Sequence, residues 1–205
     1  MPRRPDLPPL RRSELAADPI DQFRDWYDRA AREAPLSHAM ALATVGLDGA
    51  PDARMVLLKG FDSDGFRFFT NLESAKARQL EHTSSAALIL YWRELDRQVR
   101  IRGTVARLPA NASDDYFATR PRDSQIGAWA SPQSRVLADR DALDTHVRAI
   151  EERFANGDVP RPPFWGGYAV RPVEIEFWQG QVGRLHDRFL YVRAGERWRV
   201  ERLAP

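Results

Sequence analysis

After Asp18-Pro19, apolar residues recur at helical spacing, with Ile20, Phe23, Trp26, Tyr27 and Ala30 on one face down to about Glu33. Asp18 suits the N-cap and Pro19 the first helical position, so a packing helix is predicted here. From His38 the period shortens. Ala39-Met40-Ala41-Leu42-Ala43-Thr44-Val45 is a short apolar run, Asp48-Gly49 is a hairpin turn signal, and Ala53 to Lys59 has strand character. Asp62-Ser63-Asp64-Gly65 turns the chain into Phe66-Arg67-Phe68-Phe69-Thr70, and Glu73 to Glu81 suits a short helix. Strands are expected at Ala86 to Trp92 and Gln98 to Leu108. A helix around Tyr116 should stop at Pro121, a second runs towards Trp129, and a third spans roughly Asp139 to Phe154, ended by Asn156-Gly157. Strands return at Trp165 to Val170, Val173 to Trp178, Phe189 to Val192 and Trp198 to Leu203. Tight turns with few crossovers predict a mainly β, mainly antiparallel barrel or sandwich with helices packed around it, and of these the barrel is the expected architecture.

The chain has 205 residues, which suits one domain over residues 18–205. Residues 1–17, rich in Pro, Arg and Leu without a steady period, read as a flexible arm or one ordered by contact with the body. Hydrophobic content of 43% and charged content of 29% are ordinary for a globular protein. No apolar run approaches a membrane span, the first residues lack the apolar segment of a signal peptide, and the cytoplasm is the expected compartment. Without cysteine there is neither a disulfide nor a thiolate metal site, and His38, His82, His146 and His186 show no ligand spacing. A net charge of +2 gives no ground for a nucleic-acid partner.

Four stretches carry candidate chemistry. In the run from Tyr116 to Trp129, Tyr116 and Arg120 are four apart and can meet one anion, while Asp123 or Ser124 is placed to cap the next helix and aim its N–H groups at the same spot. A helix connection with solvated arginines reads equally well. Arg54 and Lys59 bracket an apolar strand, Met55-Val56-Leu57-Leu58, but five positions apart they face opposite sides unless a bulge intervenes. Thr70-Asn71-Leu72-Glu73-Ser74-Ala75-Lys76 can hold a phosphate at a helix start, and an ordinary cap explains it as well. In Arg184-Leu185-His186-Asp187-Arg188 an extended chain would put Arg184, His186 and Arg188 on one side.

Taken together, Arg54 to Lys59, Phe69-Thr70-Asn71, Arg97-Gln98-Val99, Tyr116 to Trp129, Gln133-Ser134, Phe164-Trp165-Gly166-Gly167, Glu176 to Gly180 and Arg184 to Arg188 resemble, in this order, the pyridoxamine 5′-phosphate oxidase family. The resemblance implies a split β-barrel homodimer with FMN at the subunit interface, oxidising pyridoxamine or pyridoxine 5′-phosphate to pyridoxal 5′-phosphate while O₂ becomes H₂O₂. It implies FMN contacts from Arg54, Met55, Val56, Leu57, Leu58, Lys59, Phe69, Thr70, Lys76, Gln98, Gln133, Ser134, Trp178 and Arg188. Lys59, Tyr116, Arg120 and Ser124 would meet the substrate phosphate, with Arg184 and His186 flanking its ring as the catalytic pair. Two positions depart from the pattern: Ala75 where arginine is frequent, and Phe69 where tyrosine is. The alternatives are a related flavin oxidase of the phenazine-biosynthesis type and a non-catalytic carrier of FMN or pyridoxal phosphate.

Overall fold

A computed structural model describes residues 7–205. The first helix, α1 (Pro19–Glu33), starts as its sequence dictates, with the Asp18 carboxylate accepting from the Ile20 N–H at 2.7 Å. Its apolar face buries Phe23 edge-on against Phe61 and Phe66, and Trp26 edge-on against Phe177. There follow β1 (Ala39–Val45), β2 (Pro51–Leu57), β3 (Gly60–Asp62) and β4 (Gly65–Asn71), then helix α2 (Ala75–Thr83). Strands β5 (Ser85–Trp92) and β6 (Arg97–Arg107) lead into helices α3 (Ala110–Ala118), α4 (Arg122–Ala130) and α5 (Arg140–Arg153). Strands β7 (Trp165–Gln179), β8 (Asp187–Ala194) and β9 (Arg197–Leu203) close the chain.

All pairings are antiparallel, in the order β2-β1-β5-β6-β7-β4-β3, with β8 joining β7 and β9 joining β8. One edge of β7 changes partner part-way along. Its first half pairs with β4 up to Val170, its second half pairs with β8 from Glu174, and β6 runs along the other edge throughout. This divergence splits the barrel.

The break expected between Val170 and Val173 is therefore absent, and one long strand passes through Pro172. Pro172 falls between the two edge partners and opposite a bulge at Arg102 and Gly103, positions where a proline is tolerated. Gly103 is required there, because a Cβ would lie 2.1 Å from the Arg171 carbonyl oxygen.

Of the arm expected over residues 1–17, the first six lie outside the described residues. Leu10 is buried with its N–H on Asp187 Oδ2 at 2.9 Å, the Pro8 carbonyl accepts from Gln179 Nε2, and the Ala16 carbonyl accepts from the Tyr191 hydroxyl. The main core lies inside the sheet around Met40, Leu42, Phe66, Phe68, Trp92, Phe177 and Tyr191. A smaller core of Phe117, Ile126, Val159 and Trp165 fastens α3 and α4 to the start of β7. Among the described residues no helix is long and apolar enough to cross a membrane.

Candidate active site

Between the two cores lies a cavity of about 560 Å³. Proline builds one end of it. Pro121 takes the cap position of α4, so α3 stops at Ala118 and Arg120 lies in the elbow between the helices. The expected cap at Asp123 or Ser124 is not formed; both residues sit inside the first turn of α4. The Pro121 carbonyl accepts the N–H groups of Ser124 and Gln125, so at those two positions the backbone has no donor left for an anion.

Tyr116, Arg120 and Ser124 nevertheless all line the cavity, with Lys59. The rings of Phe69, Tyr116 and Trp165 form a layered wall, with Phe69 to Tyr116 at 4.2 Å and Phe69 to Trp165 at 5.3 Å between centroids. The Arg120 guanidinium lies 4.8 Å from the Trp165 centroid, and its Nη1 is buried without a hydrogen-bond partner among the described residues. Burial is the main force depressing the Arg120 pKa, with only Tyr116 opposing it. An orphaned, charged donor aimed at a cavity calls for an anion.

The other end is built by the turn from β4 into α2. Ser74 caps α2 by accepting from the Ala77 N–H at 3.4 Å. The buried Lys76 ammonium reaches Thr70 Oγ1 at 3.2 Å, Gln133 Oε1 at 3.0 Å and Ser74 Oγ at 3.5 Å. All are neutral, and burial, then the neighbouring Arg54 cation, lowers the Lys76 pKa, against a smaller opposing pull from Asp52.

Of the residues expected on FMN, Met55, Val56, Leu57, Lys59, Phe69, Thr70, Lys76 and Gln133 line this cavity. Leu58 does not: it is buried in the core, its N–H donating to the His38 carbonyl as the chain leaves β2. Strand alternation continues to Lys59 without a bulge, so Lys59 shares the exposed side with Met55 and Leu57 and faces the cavity, while Arg54, on the opposite side as the spacing predicts, stays behind it, bound to Thr44, Gln79 and Asp52. Ser134, exposed at φ 70°, is also outside the lining. Asn71, Thr119, Pro121, Gly127, Ala128, Ser131 and Trp165 join the lining without having been assigned a ligand contact. With Ser124, the positions 127, 128 and 131 mark one face of α4, a helical spacing that was open to reading.

A second group gathers elsewhere. Gln98, Trp178 and Arg188 are register partners across β6, β7 and β8. Arg188 is fixed by Nε to the buried Glu176 at 2.8 Å and by Nη1 to the Ala204 carbonyl at 2.8 Å, and the Glu176 bond raises its pKa. The stretch before it is not extended. A 3-10 turn at Val182–Arg184 puts Gly183 and Arg184 at φ 67° and 63°, and Asp187 turns inward onto Gln181, Arg202 and the Leu10 N–H. The placement of Arg184, His186 and Arg188 on one side, which an extended chain would give, is thereby lost. His186 packs on Trp178 at 4.6 Å and accepts at Nδ1 from the Gln181 N–H, which leaves Nε2 to meet a ligand. Arg184 is exposed and has no ion pair among the described residues. None of Gln98, Trp178, Arg184, His186 and Arg188 lines the cavity of its own chain.

A family model described as pyridoxamine 5′-phosphate oxidase matches residues 27–154, and one described as pyridoxine 5′-phosphate oxidase C-terminal dimerisation region matches residues 165–205. The pyridoxine/pyridoxamine 5′-phosphate oxidase of Rubrobacter xylanophilus is 51% identical over 212 residues, covering 98% of this chain and 98% of the relative. That of Salinibacter ruber is 52% identical over 201 residues, covering 96% and 93%. Among solved structures, PhzG from Burkholderia lata 383 in complex with tetrahydrophenazine-1-carboxylic acid has a TM-score of 0.88 at 34% identity, covering 94% of this chain and 95% of that one. A pyridoxamine 5′-phosphate oxidase-related, FMN binding protein from Nostoc punctiforme shares the fold, with a TM-score of 0.74 at 19% identity, covering 93% and 100%. On the extent of these matches, the chain belongs to the pyridoxamine 5′-phosphate oxidase family, enzymes whose cofactor is FMN.

Proposed function

We propose that this protein, as a homodimer in the cytoplasm, oxidises pyridoxamine 5′-phosphate and pyridoxine 5′-phosphate to pyridoxal 5′-phosphate, with O₂ reduced to H₂O₂. The observation that carries this reading is one cavity with cations at two separate ends, Lys76 at one and Arg120 with Lys59 at the other, none of which has a carboxylate partner among the described residues. FMN and a B6 phosphate each bring a phosphomonoester of nearly two negative charges, so together they need two such seats. The residues fit FMN: Lys76, Thr70 and Gln133 suit its phosphate, and Met55, Val56 and Leu57 offer a strand edge to its ring.

When bound, FMN supplies the two-electron acceptor that takes a hydride from the substrate carbon and passes the electrons to O₂. Everything else falls to the side chains. Lys59, Tyr116, Arg120 and Ser124 hold the substrate phosphate and so fix the reacting carbon. Arg184 and His186 approach the substrate ring from the second subunit, since they lie outside their own chain's cavity and inside the matched dimerisation region. Gln98, Trp178 and Arg188 complete the flavin wall from that same subunit. For the amine, water then hydrolyses the imine and ammonia leaves.

Anaerobic titration tests this. Pyridoxamine 5′-phosphate should bleach the flavin absorbance, and unphosphorylated pyridoxamine should do so only at far higher concentration. A flavin that never bleaches would reduce the protein to a carrier. The likeness to PhzG supports a second reading, a tricyclic carboxylate whose acid group meets Arg120. Bleaching by a reduced phenazine carboxylate, with none by the B6 phosphates, would establish that one instead.

A further inference from the structure

The loop that joins β7 to β8, residues 180–186, carries Arg184 and His186. Inside it the Leu185 N–H donates to the Val182 carbonyl at 3.3 Å, while Arg184 lies in the left-handed region, which a non-glycine residue keeps only where its surroundings hold it. The side chains of Val182, Arg184 and Leu185 are exposed and do not supply that hold. It comes from the two ends of the loop. At the first, Gln181 gives its backbone N–H to His186 Nδ1 at 3.1 Å, and its side-chain amide to Asp187 Oδ2 at 2.9 Å and to the Pro8 carbonyl at 3.4 Å. At the second, the Asp187 carboxylate, 2% exposed, accepts from Gln181 and from the Leu10 N–H at 2.9 Å on one oxygen, and from Arg202 on the other. Gln181, His186 and Asp187 thus close a bracket across the base of the loop. With Nδ1 accepting and the ring packed on Trp178 at 4.6 Å, the neutral imidazole carries its proton on Nε2 and its direction is fixed.

We propose that Gln181 and Asp187 are positioning residues for the oxidation: the bracket they form fixes the His186 ring, and with it the turn at Arg184, in the orientation in which the pair meets the substrate. The inference rests on the reading of Arg184 and His186 as the catalytic pair, and it involves neither phosphate seat. Because Lys59, Tyr116, Arg120 and Ser124 hold the substrate phosphate, a loosened loop leaves substrate binding nearly intact and slows the step at the ring.

The test measures steady-state oxidation of pyridoxamine 5′-phosphate by the full-length, FMN-loaded protein, beside the Kd for FMN and the Tm. Gln181→Met keeps the length of the side chain and the backbone N–H, and removes both amide hydrogen bonds. It should lower kcat roughly tenfold, part of the hundredfold that a misplacement of about 1 Å can cost, with KM and the Kd for FMN unchanged. Its Tm should fall by only about 2–4 °C, the share of one hydrogen bond. Asp187→Ala also frees Arg202 and the Leu10 N–H, so it should lower Tm further as well as kcat. The double variant should lose no more kcat than Asp187→Ala alone, because both residues act through one bracket. Should Asp187→Ala fail to fold, Gln181→Met decides by itself. Wild-type kcat in Gln181→Met would overturn the inference, and so would a fall in kcat matched by an equal loss of FMN affinity, or additive losses in the double variant. His186→Ala separates the two layers of the argument. If it turns over as fast as wild type, the catalytic reading of the loop fails and the inference with it; if it is slow while Gln181→Met is not, the inference alone is lost.

Discussion

The cations of the cavity and those of the β7–β8 region are held in opposite ways. Lys76 and Arg120 are buried or half-buried against neutral oxygens and aromatic rings. Along β7 and β8, Arg188 and Arg100 both end on the buried Glu176, and Arg202 ends on the buried Asp187. A buried charge without a partner costs stability until an anion arrives, whereas one on a buried carboxylate is already satisfied and gives a stiff surface. The first arrangement suits a receptor for phosphates; the second suits a wall. Arg184 breaks the pattern, being exposed and free of ion pairs among the described residues in the region where its neighbours are tied.

That exception gives the largest expected effect. Arg184→Ala should lower kcat by on the order of a hundredfold, the scale of a lost positioned catalytic group, with FMN content and Tm unchanged. Unaltered turnover would return Arg184 to the class of solvated surface arginines. Arg120→Ala should raise KM for pyridoxamine 5′-phosphate by roughly 10- to 100-fold, from the loss of a charge-assisted contact of about 1.5–3 kcal/mol. KM for the unphosphorylated amine serves as the control, and a similar rise there would mean that the variant has disturbed the aromatic wall instead.

Lys76→Met sharpens the comparison from the other direction: it should weaken FMN binding at least tenfold, while the apoprotein melts at a higher temperature, because an unpaired buried charge is gone. The pH dependence follows from the sign of the shift. Burial holds the folded-state pKa of Lys76 below the ordinary 10.5. Between those two values the unfolded chain binds more protons, so wild-type apoprotein should gain stability as pH rises through that window, and Lys76→Met should lose the slope. Glu176→Gln has the smallest expected effect, a loss of about 2 kcal/mol seen as a drop in Tm of roughly 4–8 °C, less than for a fully buried pair because Arg100 is partly exposed. No change in Tm would show that the wall is not held by this carboxylate.

Much of this was legible because it is local. The Asp18-Pro19 start of α1, the apolar alternation of β1 and the stop at Pro121 depend on residues a few positions apart, and the structure has all three. The extension of the Ser124 face of α4 through Gly127 and Ala128 to Ser131 at its C-cap was equally local, yet these three small residues carry no chemistry that marks them in advance. The continuity of β7 through Pro172 was not legible, since it depends on where β4 ends, where β8 begins and where β6 bulges. The turn at Arg184 was not legible for a related reason: a left-handed non-glycine residue is unfavourable on its own and persists only where its surroundings hold it.

The order of charged and aromatic residues along the chain was enough to specify the family, the barrel and the residues that carry charge. Which cations are paired and which are left open was decided only by tertiary structure. Arg54, Lys76, Arg120 and Arg188 carry the same charge in the sequence, and they differ because Asp52 and Glu176 fold against two of them while neutral oxygens and rings enclose the others.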